Sequence, residues 1–257
     1  MNSSKFFMSI VMPTLNEESN IRAAIERTLS AFDSFSIDGE LIVINDGSTD
    51  STSRIVSEKI KGDNRVRVIN HKSPQGMGAS FWDGVDMARG DIVTMLPGDN
   101  ENDPSETLCY AGLMDDVDIV IPFAYNKEVR SFFRNFLSDL YRFIINLTFM
   151  TSFNHTNSTV ICRKSILKQL SHRDSSFFYQ TDILIRSAKM GYLFCEVPYR
   201  LGLRDTGRSK ATSFSSLCQI IKGYIGLVKD VYFKRKRKHE FTADSLTLKR
   251  YKGKSEK

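Results

Sequence analysis

Hydrophobic and polar positions alternate along the first half of the chain as short apolar runs separated by amphipathic segments. Five runs have the length and β-branched content of strands: MSIVMP, ELIVIN, RVRVIN, DIVTML and DIVIP. ELIVIN is continuously apolar, as expected for a strand covered on both faces. In the first segment between runs, apolar residues recur at helical spacing: Ile21, Ile25, Leu29 and Phe32. We expect Asn16 to cap that helix and Pro13 to end the strand before it.

This alternation predicts an α/β fold, a single domain with a mainly parallel sheet between helices. Ligands of such sheets bind at the carboxyl ends of the strands. Here those ends carry Pro13–Glu17, Asn45–Ser48 and Pro97–Glu101, so these polar loops are the expected ligand site.

The second half of the chain has a different pattern. It predicts a long apolar helix over Phe132–Met150, a further strand at STVICR and a helix over Phe178–Lys189. The run YLFCEVPYRLGL predicts a strand pair or one bent strand. An apolar stripe from Phe214 to Tyr232 follows one helix face and leads into KRKRK. We therefore expect one domain over 1–211, an amphipathic helix over 212–233 and a flexible basic tail over 234–257.

Charge and cysteine content indicate the kind of partner and the cellular compartment. The formal net charge is +6, and the excess is concentrated from Lys234 onward. A basic tail favours an acidic partner such as lipid headgroups, or is simply solvated; no basic motif interleaved with aromatic residues supports nucleic acid. Three of the four cysteines lie in apolar runs, which predicts reduced core residues. Nothing resembling a secretory signal opens the chain, and no apolar run reaches the roughly 20 residues of a membrane span. These features predict a cytoplasmic protein without a transmembrane anchor.

The loop PGDNENDP places Asp99, Glu101 and Asp103 just beyond a hydrophobic strand. Carboxylates grouped in this way suit Mg²⁺ or Mn²⁺, which takes one or two of them and completes its shell with phosphate oxygens and water. The alternative is an ordinary solvated acidic turn.

Two other loops carry weaker signals. NDGSTDST opens a helix after a buried strand, so Asp46 could accept hydrogen bonds from a nucleotide, or the segment could be a capped helix start. RDTGRSK places Arg204, Arg208 and Lys210 on a glycine-containing loop that could close over phosphates, or form an exposed basic turn.

Taken together, these segments resemble the family 2 glycosyltransferases with the GT-A fold. The resemblance rests on VMPTLNEESNI, LIVINDGSTDST, SPQGMGAS, GDIVTMLPGDNENDP and LRDTGRSKA, which occur in the family's order between about Ser9 and Ala211. The branch that it resembles most is the dolichol- or polyprenol-phosphate mannose synthase type with its bacterial relatives. It implies a Rossmann-like mixed sheet and a nucleotide-diphosphate sugar donor.

The resemblance also implies roles at matching positions. Pro13, Leu15 and Glu17 would line the base and ribose pocket, and Asp46 would hold the base. Gly98, with Asp99 and Glu101 as metal ligands, matches the family's metal loop. Two groups of basic or polar residues match regions that contact phosphate: Arg130 and Arg134, and Arg204, Ser209 and Lys210.

Two positions depart from the family pattern. Pro97 stands where the first Asp of the metal motif is expected, and Asn45 stands where the family often has another Asp. The first departure moves metal binding onto Asp99 and Glu101.

The resemblance implies inverting transfer of a sugar to a polyprenyl-phosphate or saccharide acceptor, in cell-envelope polysaccharide or glycolipid synthesis. Asp99, Arg204 and Lys210 would stabilise the departing diphosphate. A saccharide hydroxyl would also need a base, for which Asp182 is the candidate; its alternative is a surface helix residue. The apolar helix and the basic tail could contact the cytoplasmic face of a membrane, and a homo-oligomer stays open. The competing hypothesis is a non-catalytic scaffold with the same fold, binding sugar nucleotides or a membrane surface.

Overall fold

The protein folds into a central mixed sheet with helices on both faces. The computed structural model describes residues 6–129, 131–157, 159–200, 214–234 and 239–255. The strands within these residues are β1 Met8–Thr14, β2 Gly39–Asn45, β3 Val66–Asn70, β4 Ile92–Met95, β5 Ile119–Ala124, β6 Ile161–Arg163 and β7 Phe194–Tyr199. The helices are α1 Ile21–Phe35, α2 Thr52–Gly62, α3 Met77–Met87, α4 Pro104–Leu108, α5 Phe132–Phe149, α6 Lys164–Gln169, α7 Tyr179–Met190, α8 Phe214–Tyr232 and α9 Leu246–Ser255.

The strand order is β3-β2-β1-β4-β6-β5-β7. The pairs β1–β2, β2–β3, β1–β4 and β5–β7 are parallel, whereas β6 runs antiparallel to both neighbours. The predicted α/β fold with a mainly parallel mixed sheet is confirmed. Pro13 does not end β1, which continues to Thr14.

Alternation along the strands divides the core into two layers. In β2, Ile42 and Ile44 pack toward α3, α5, α7 and α8, whereas Leu41 and Val43 pack toward α1 and α2. Such two-sided burial explains why β2 reads as a continuous apolar run. Of the cysteines, Cys162 is buried, Cys195 is half-buried, and Cys109 and Cys218 are exposed, so the expectation of three core cysteines was wrong for at least one of them.

The last helix is attached to the sheet. The buried carboxylate of Asp118, just before β5, accepts hydrogen bonds from the backbone amides of Leu246 (2.7 Å) and Thr247 (3.0 Å), and Arg163 contacts the same carboxylate at 2.9 Å. A carboxylate at a helix N-terminus satisfies amides that have no partner within the helix. The expectation of a flexible tail over 234–257 is therefore wrong for the part around α9, while 235–238 lie outside the described residues.

None of the helices formed by the described residues combines the length and the apolar character needed to cross a bilayer.

Candidate functional site

The carboxyl ends of β1, β2 and β4 meet at one edge of the sheet. The backbone amide of Asp46 donates to the carbonyl oxygen of Thr14 at 2.8 Å, and the amide of Gly98 donates to that of Pro13 at 3.0 Å. The loop after each strand is thereby bonded to β1. The structure thus brings the expected pocket residues after β1, Asp46 after β2 and the acidic loop after β4 to a single edge.

Hydrogen bonds connect the loops after β1 and β2. The amide of Asn16 donates to Ser48 Oγ at 3.0 Å, and Asn16 Oδ1 accepts from the amide of Thr49 at 2.8 Å. Asn16 has a positive φ of 56°, which Asn tolerates better than most residues. The expectation that Asn16 caps α1 was wrong: α1 begins at Ile21 after Asn20, and the Asn16 side chain is committed to the neighbouring loop.

Further contacts fix Glu17 and its neighbour. The amide of Glu17 donates to Thr52 Oγ1 at 2.9 Å, and the amide of Glu18 donates to Asp50 Oδ2 at 3.2 Å. Burial opposes ionisation of Asp50, but hydrogen bonds from Thr52 and the Glu18 amide outweigh it and lower the pKa of this carboxyl. These contacts hold the start of the segment before α1 against the loop after β2.

The acidic loop after β4 presents two carboxylates. Asp99 and Glu101 are both partly exposed, and Asp99 Oδ1 accepts a hydrogen bond from the Glu101 amide at 3.1 Å. Asp103 serves another purpose, because it caps α4 through the amide of Ser105 and pairs with Arg27 at 2.8 Å. Asp103 thus belongs to the scaffold of the loop, and Asp99 and Glu101 stay the predicted metal ligands.

The side chain of Asp46 bonds to the loop after β3. Its carboxylate is buried and accepts three hydrogen bonds: from His71 Nδ1 at 2.7 Å, from the amide of Gln75 at 2.7 Å and from the amide of Gly76 at 2.9 Å. These contacts use three of the roughly four acceptor positions of a carboxylate, so direct binding of a base by Asp46 stays a prediction. The neighbouring Asn45 donates to Asn70 Oδ1 at 2.9 Å, at the matching position of β3.

The burial and the contacts of the Asp182 carboxylate do not suit proton transfer. It is 1% exposed, and both its oxygens lie 2.9 Å from Arg186 Nε. Arg186 in turn reaches Asp230 on α8 at 2.9 Å. The expectation of a catalytic base, like its surface-residue alternative, was wrong: the carboxylate is a buried ion-pair partner that joins α7 to α8.

Arg134 is exposed in the first turn of α5, and its amide bonds to Ser131 Oγ, the N-cap. This helix follows β5, which is separated from β4 by β6. Nearby, Lys127, Asp139 and Arg142 line a polar cavity at the end of β5, with Asp139 bonded to both cations. The expected residues Arg130, Arg204, Ser209 and Lys210 lie outside the described residues.

Helix α5 exposes an unusually apolar face. Phe132 is 86% and Phe143 62% exposed, and the helix enters the core mainly through Ile145 and Phe149. Its end packs on α8, where Thr148 Oγ1 lies 2.8 Å from Tyr224 Oη. We call the exposed apolar residues of the two helices the α5–α8 surface: Phe132, Phe133, Phe136, Leu137, Leu140, Phe143, Ile144 and Leu147, with Leu217, Ile221, Ile225 and Tyr232.

The sequence reasoning missed His71 and Thr14. His71 is buried beside Asp46, and Thr14 sits beneath Gly98. The only signal for either was its place at a strand end, which many residues share.

The comparisons with known proteins agree with this architecture. Residues 9–171 match the sequence profile of Glycosyl transferase family 2. The match covers more than half of the chain, so the chain belongs to this family, and its class is that of the glycosyltransferases.

Curated relatives include the dodecaprenyl-phosphate galacturonate synthase of Rhizobium johnstonii, 29% identical over 63% of this chain and 49% of the relative. The undecaprenyl-phosphate 4-deoxy-4-formamido-L-arabinose transferase of Edwardsiella ictaluri is 26% identical over 79% of this chain and 62% of the relative. The chain thus spans about half to three fifths of the length of these two proteins.

Among solved structures, glucosyl-3-phosphoglycerate synthase from Mycobacterium tuberculosis with phosphoglyceric acid superposes with a TM-score of 0.66 at 20% identity, covering 93% of this chain and 85% of that one. The same enzyme with Mn²⁺, uridine diphosphate and phosphoglyceric acid gives 0.62 at 21% identity, covering 90% and 80%. At this identity the likeness establishes the fold.

Proposed function

We propose that this chain transfers a sugar from a nucleoside-diphosphate sugar to a polyprenyl phosphate, with a divalent metal and inversion at the anomeric carbon. The observation that carries the proposal is the meeting of the acidic loop, through Asp99 and Glu101, with the loops after β1 and β2. Family membership supplies the reaction class. The two relatives, a dodecaprenyl-phosphate galacturonate synthase and an undecaprenyl-phosphate 4-deoxy-4-formamido-L-arabinose transferase, support the lipid acceptor.

The residues present fit a hard divalent cation. Asp99 and Glu101 offer carboxylate oxygens from one loop, on the edge where a diphosphate would lie. Such an ion takes one or two protein carboxylates and completes its shell with phosphate oxygens and water. Bound there, Mg²⁺ or Mn²⁺ would neutralise charge on the departing diphosphate.

The donor would lie over the joined loops after β1 and β2. Leu15 and Glu17, held by the contacts of the neighbouring loops, would face the base and ribose, while the buried Pro13 supports them from β1. The basic residues Arg204 and Lys210, with Ser209, would contact the phosphates, and Arg130 and Arg134 would add positive charge toward the acceptor. Because these side chains are cationic or polar, they would stabilise negative charge that develops in the transition state.

The acceptor assignment rests on two adjacent features. The polar cavity beside β5 holds two cations, Lys127 and Arg142, against the single carboxylate of Asp139. The exposed apolar face of α5 starts a few residues away. A polyprenyl phosphate combines an anionic head with a long apolar tail, so it matches both features. A phosphate acceptor is already anionic and needs no base, which agrees with the ion-paired state of Asp182.

The same surface suits the place where such a lipid resides. Eight exposed large apolar side chains on α5 alone are typical of an interaction site. The cations Lys222, Lys229 and Lys234 lie on or just after α8. Apolar side chains flanked by lysines bind the headgroup layer of anionic membranes. We therefore propose peripheral attachment at the cytoplasmic face of a membrane through the α5–α8 surface.

A donor screen tests the function. Release of nucleoside diphosphate would be measured with UDP-, GDP- and dTDP-sugars, with undecaprenyl phosphate in detergent as acceptor and undecaprenol as the matched alcohol control. We expect release with the phosphate and one class of donor, loss of release with a chelator, and recovery with Mn²⁺ or Mg²⁺. NMR of the product would show the inverted anomer. Release that is equal with the alcohol, or insensitive to chelation, would contradict the proposal.

A further inference from the structure

His71 lies between two carboxylates directly after β3. Its Nδ1 is 2.7 Å from Asp46 Oδ1 and its Nε2 is 3.0 Å from Asp83 Oδ2 on α3. The His71 side chain is 6% exposed, whereas that of Asp83 is 46% exposed. The Asp46 contact is a hydrogen bond, while the approach to Asp83 lacks hydrogen-bond geometry. The buried contact of Nδ1 with Asp46 is thus the stronger and less solvated of the two contacts.

The carboxylate that His71 contacts also holds the next loop. Asp46 Oδ1 accepts from the amide of Gln75 and Oδ2 from the amide of Gly76. Gly76 has a φ of 101°, a conformation that residues with a side chain rarely adopt. His71 therefore orients a carboxylate whose two oxygens fix an otherwise unfavourable turn before α3.

This loop lies against the candidate donor site. A Cβ on Gly47 would lie 2.8 Å from the carbonyl carbon of Ser73 and 2.9 Å from the nitrogen of Pro74, so the loops after β2 and β3 are in direct backbone contact. On its other side, residues 74–77 form a wall of a large cleft completed by 172–177 and α8. A shift of this loop would change the shape of the cleft next to the nucleotide.

We propose that His71 is a positioning residue for the donor: through its Nδ1–Asp46 hydrogen bond it holds residues 72–76 in the shape that receives the nucleotide. The proposal rests on the proposed function for the identity of the ligand. It assigns no chemical step to His71, whose ring is buried beneath the loop. It predicts an effect on donor binding and little effect on the rate of transfer from bound donor.

Two conservative variants distinguish the contact of His71 with Asp46 from its contact with Asp83. The side-chain amide of Asn places its nitrogen near the position of Nδ1, whereas that of Gln places it near Nε2. His71→Asn therefore retains a donor for Asp46, and His71→Gln retains one for Asp83. Asp83→Asn is the matched control, since it weakens the contact of Nε2 alone.

The kinetic test compares donor KM, acceptor KM and kcat of the full-length variants. We expect His71→Ala and His71→Gln to raise the donor KM about tenfold, the scale of losing a hydrogen bond to a buried charge, with kcat and acceptor KM changed less than about twofold. His71→Asn and Asp83→Asn should stay within about threefold of the parent donor KM. Equal impairment of the Asn and Gln variants, or a loss confined to kcat, would overturn the proposal; this comparison stands even where His71→Ala does not fold.

A second measurement needs no substrate and so separates this inference from the proposed function. Hydrogen exchange of the Gln75 and Gly76 amides in the free protein should accelerate at least about tenfold in His71→Gln and stay near the parent rate in His71→Asn. Protection unchanged in His71→Gln would refute the positioning role whatever the donor. A parent protein that uses no sugar nucleotide, but shows the expected exchange pattern, would overturn the proposed function and leave the role of His71 in the loop intact.

Discussion

The backbone of Gly98 lies directly against Thr14, so closely that an added Cβ on Gly98 would meet Thr14 Oγ1 at 2.4 Å. This contact seats the acidic loop on the end of β1, one residue before Asp99. The hydrogen bond from the Gly98 amide to the carbonyl oxygen of Pro13 closes the same junction. The position of the candidate metal carboxylates is therefore set by a residue without a side chain.

Substituting Gly98 should displace the acidic loop. Gly98→Ala puts a methyl group well inside the van der Waals contact distance to Thr14 Oγ1, so the loop must move. Misplacement of a catalytic group by about 1 Å can lower kcat about 100-fold. The check is steady-state kinetics together with thermal unfolding. The double variant Gly98→Ala/Thr14→Ala removes the oxygen that clashes. The closest remaining contact, 3.0 Å, is with the flexible end of the Ile21 side chain, so the double variant should recover part of kcat. A double variant as slow as the single one would show that the contact does not seat the loop.

Removing the charge of Asp99 should affect kcat far more than removing the charge of Asp103 in the same loop. Asp99→Asn removes a candidate metal carboxylate and should lower kcat about 100- to 1,000-fold, the scale of losing one electrostatic contact to the transition state. The control is Asp103→Asn, which carries the same charge change on the same loop and keeps an N-cap for α4. We expect the control to retain activity within about threefold. Equal loss in both variants would indicate a general effect of loop charge and remove the metal assignment.

Much of the fold could be predicted because its signals are local. The apolar runs of β1 and β2 and the stripe of α8 each follow from the spacing of neighbouring residues. The basic tail was expected to be flexible because nothing near it in sequence shows a partner. The carboxylate that holds α9 belongs to Asp118, which lies 129 residues before Thr247.

The candidate site shows the same division. Clustered carboxylates at a strand end were visible as a pattern, and the structure places them at the expected edge. The roles expected for Asn16 and Asp182 failed, because each side chain is committed to a partner that sequence spacing does not fully reveal: Thr49, and Arg186 with Asp230. A polar residue at a predicted ligand edge can thus be part of the scaffold that shapes the site.

Asp182 should prove structural. Removing one member of a buried ion pair leaves the other charge uncompensated and costs about 3–5 kcal/mol. Asp182→Asn should therefore lower the denaturant midpoint strongly while kcat per folded molecule stays near that of the parent. Asp182→Leu/Arg186→Met, which removes both buried charges, should regain part of the stability. A fully stable Asp182→Asn protein without activity would restore the hypothesis that this residue is a base.

Stability should fall in acid through Glu40. Burial opposes ionisation of this carboxyl, but hydrogen bonds from Arg67, the Arg89 amide and Ser9 outweigh it and lower its pKa below the ordinary 4.5. A carboxyl whose folded pKa is depressed stabilises the fold above its unfolded pKa and loses that contribution as pH falls through the folded value. Urea midpoints measured from pH 6 to about pH 3 should decline less steeply for Glu40→Gln than for the parent. Glu240→Gln, at an exposed carboxyl, is the control and should follow the parent curve. Parallel curves for the parent and Glu40→Gln would contradict the assignment.

The α5–α8 surface should bind vesicles that contain anionic phospholipid. Phe132 and Phe143 are among its most exposed side chains, and burying a phenylalanine in an apolar phase contributes about 1.5–3 kcal/mol. Phe132→Ser/Phe143→Ser should therefore remove most of the protein from the floating fraction in liposome flotation, and added salt should weaken the remainder by screening the lysines of α8. The matched control is Phe35→Ser/Met87→Ser, which removes two exposed apolar side chains from α1 and α3 and should float like the parent. Flotation that is unchanged in the α5 variant would contradict membrane docking. A parent dimer in sedimentation that the same two substitutions dissociate would instead assign the surface to a second copy of the chain.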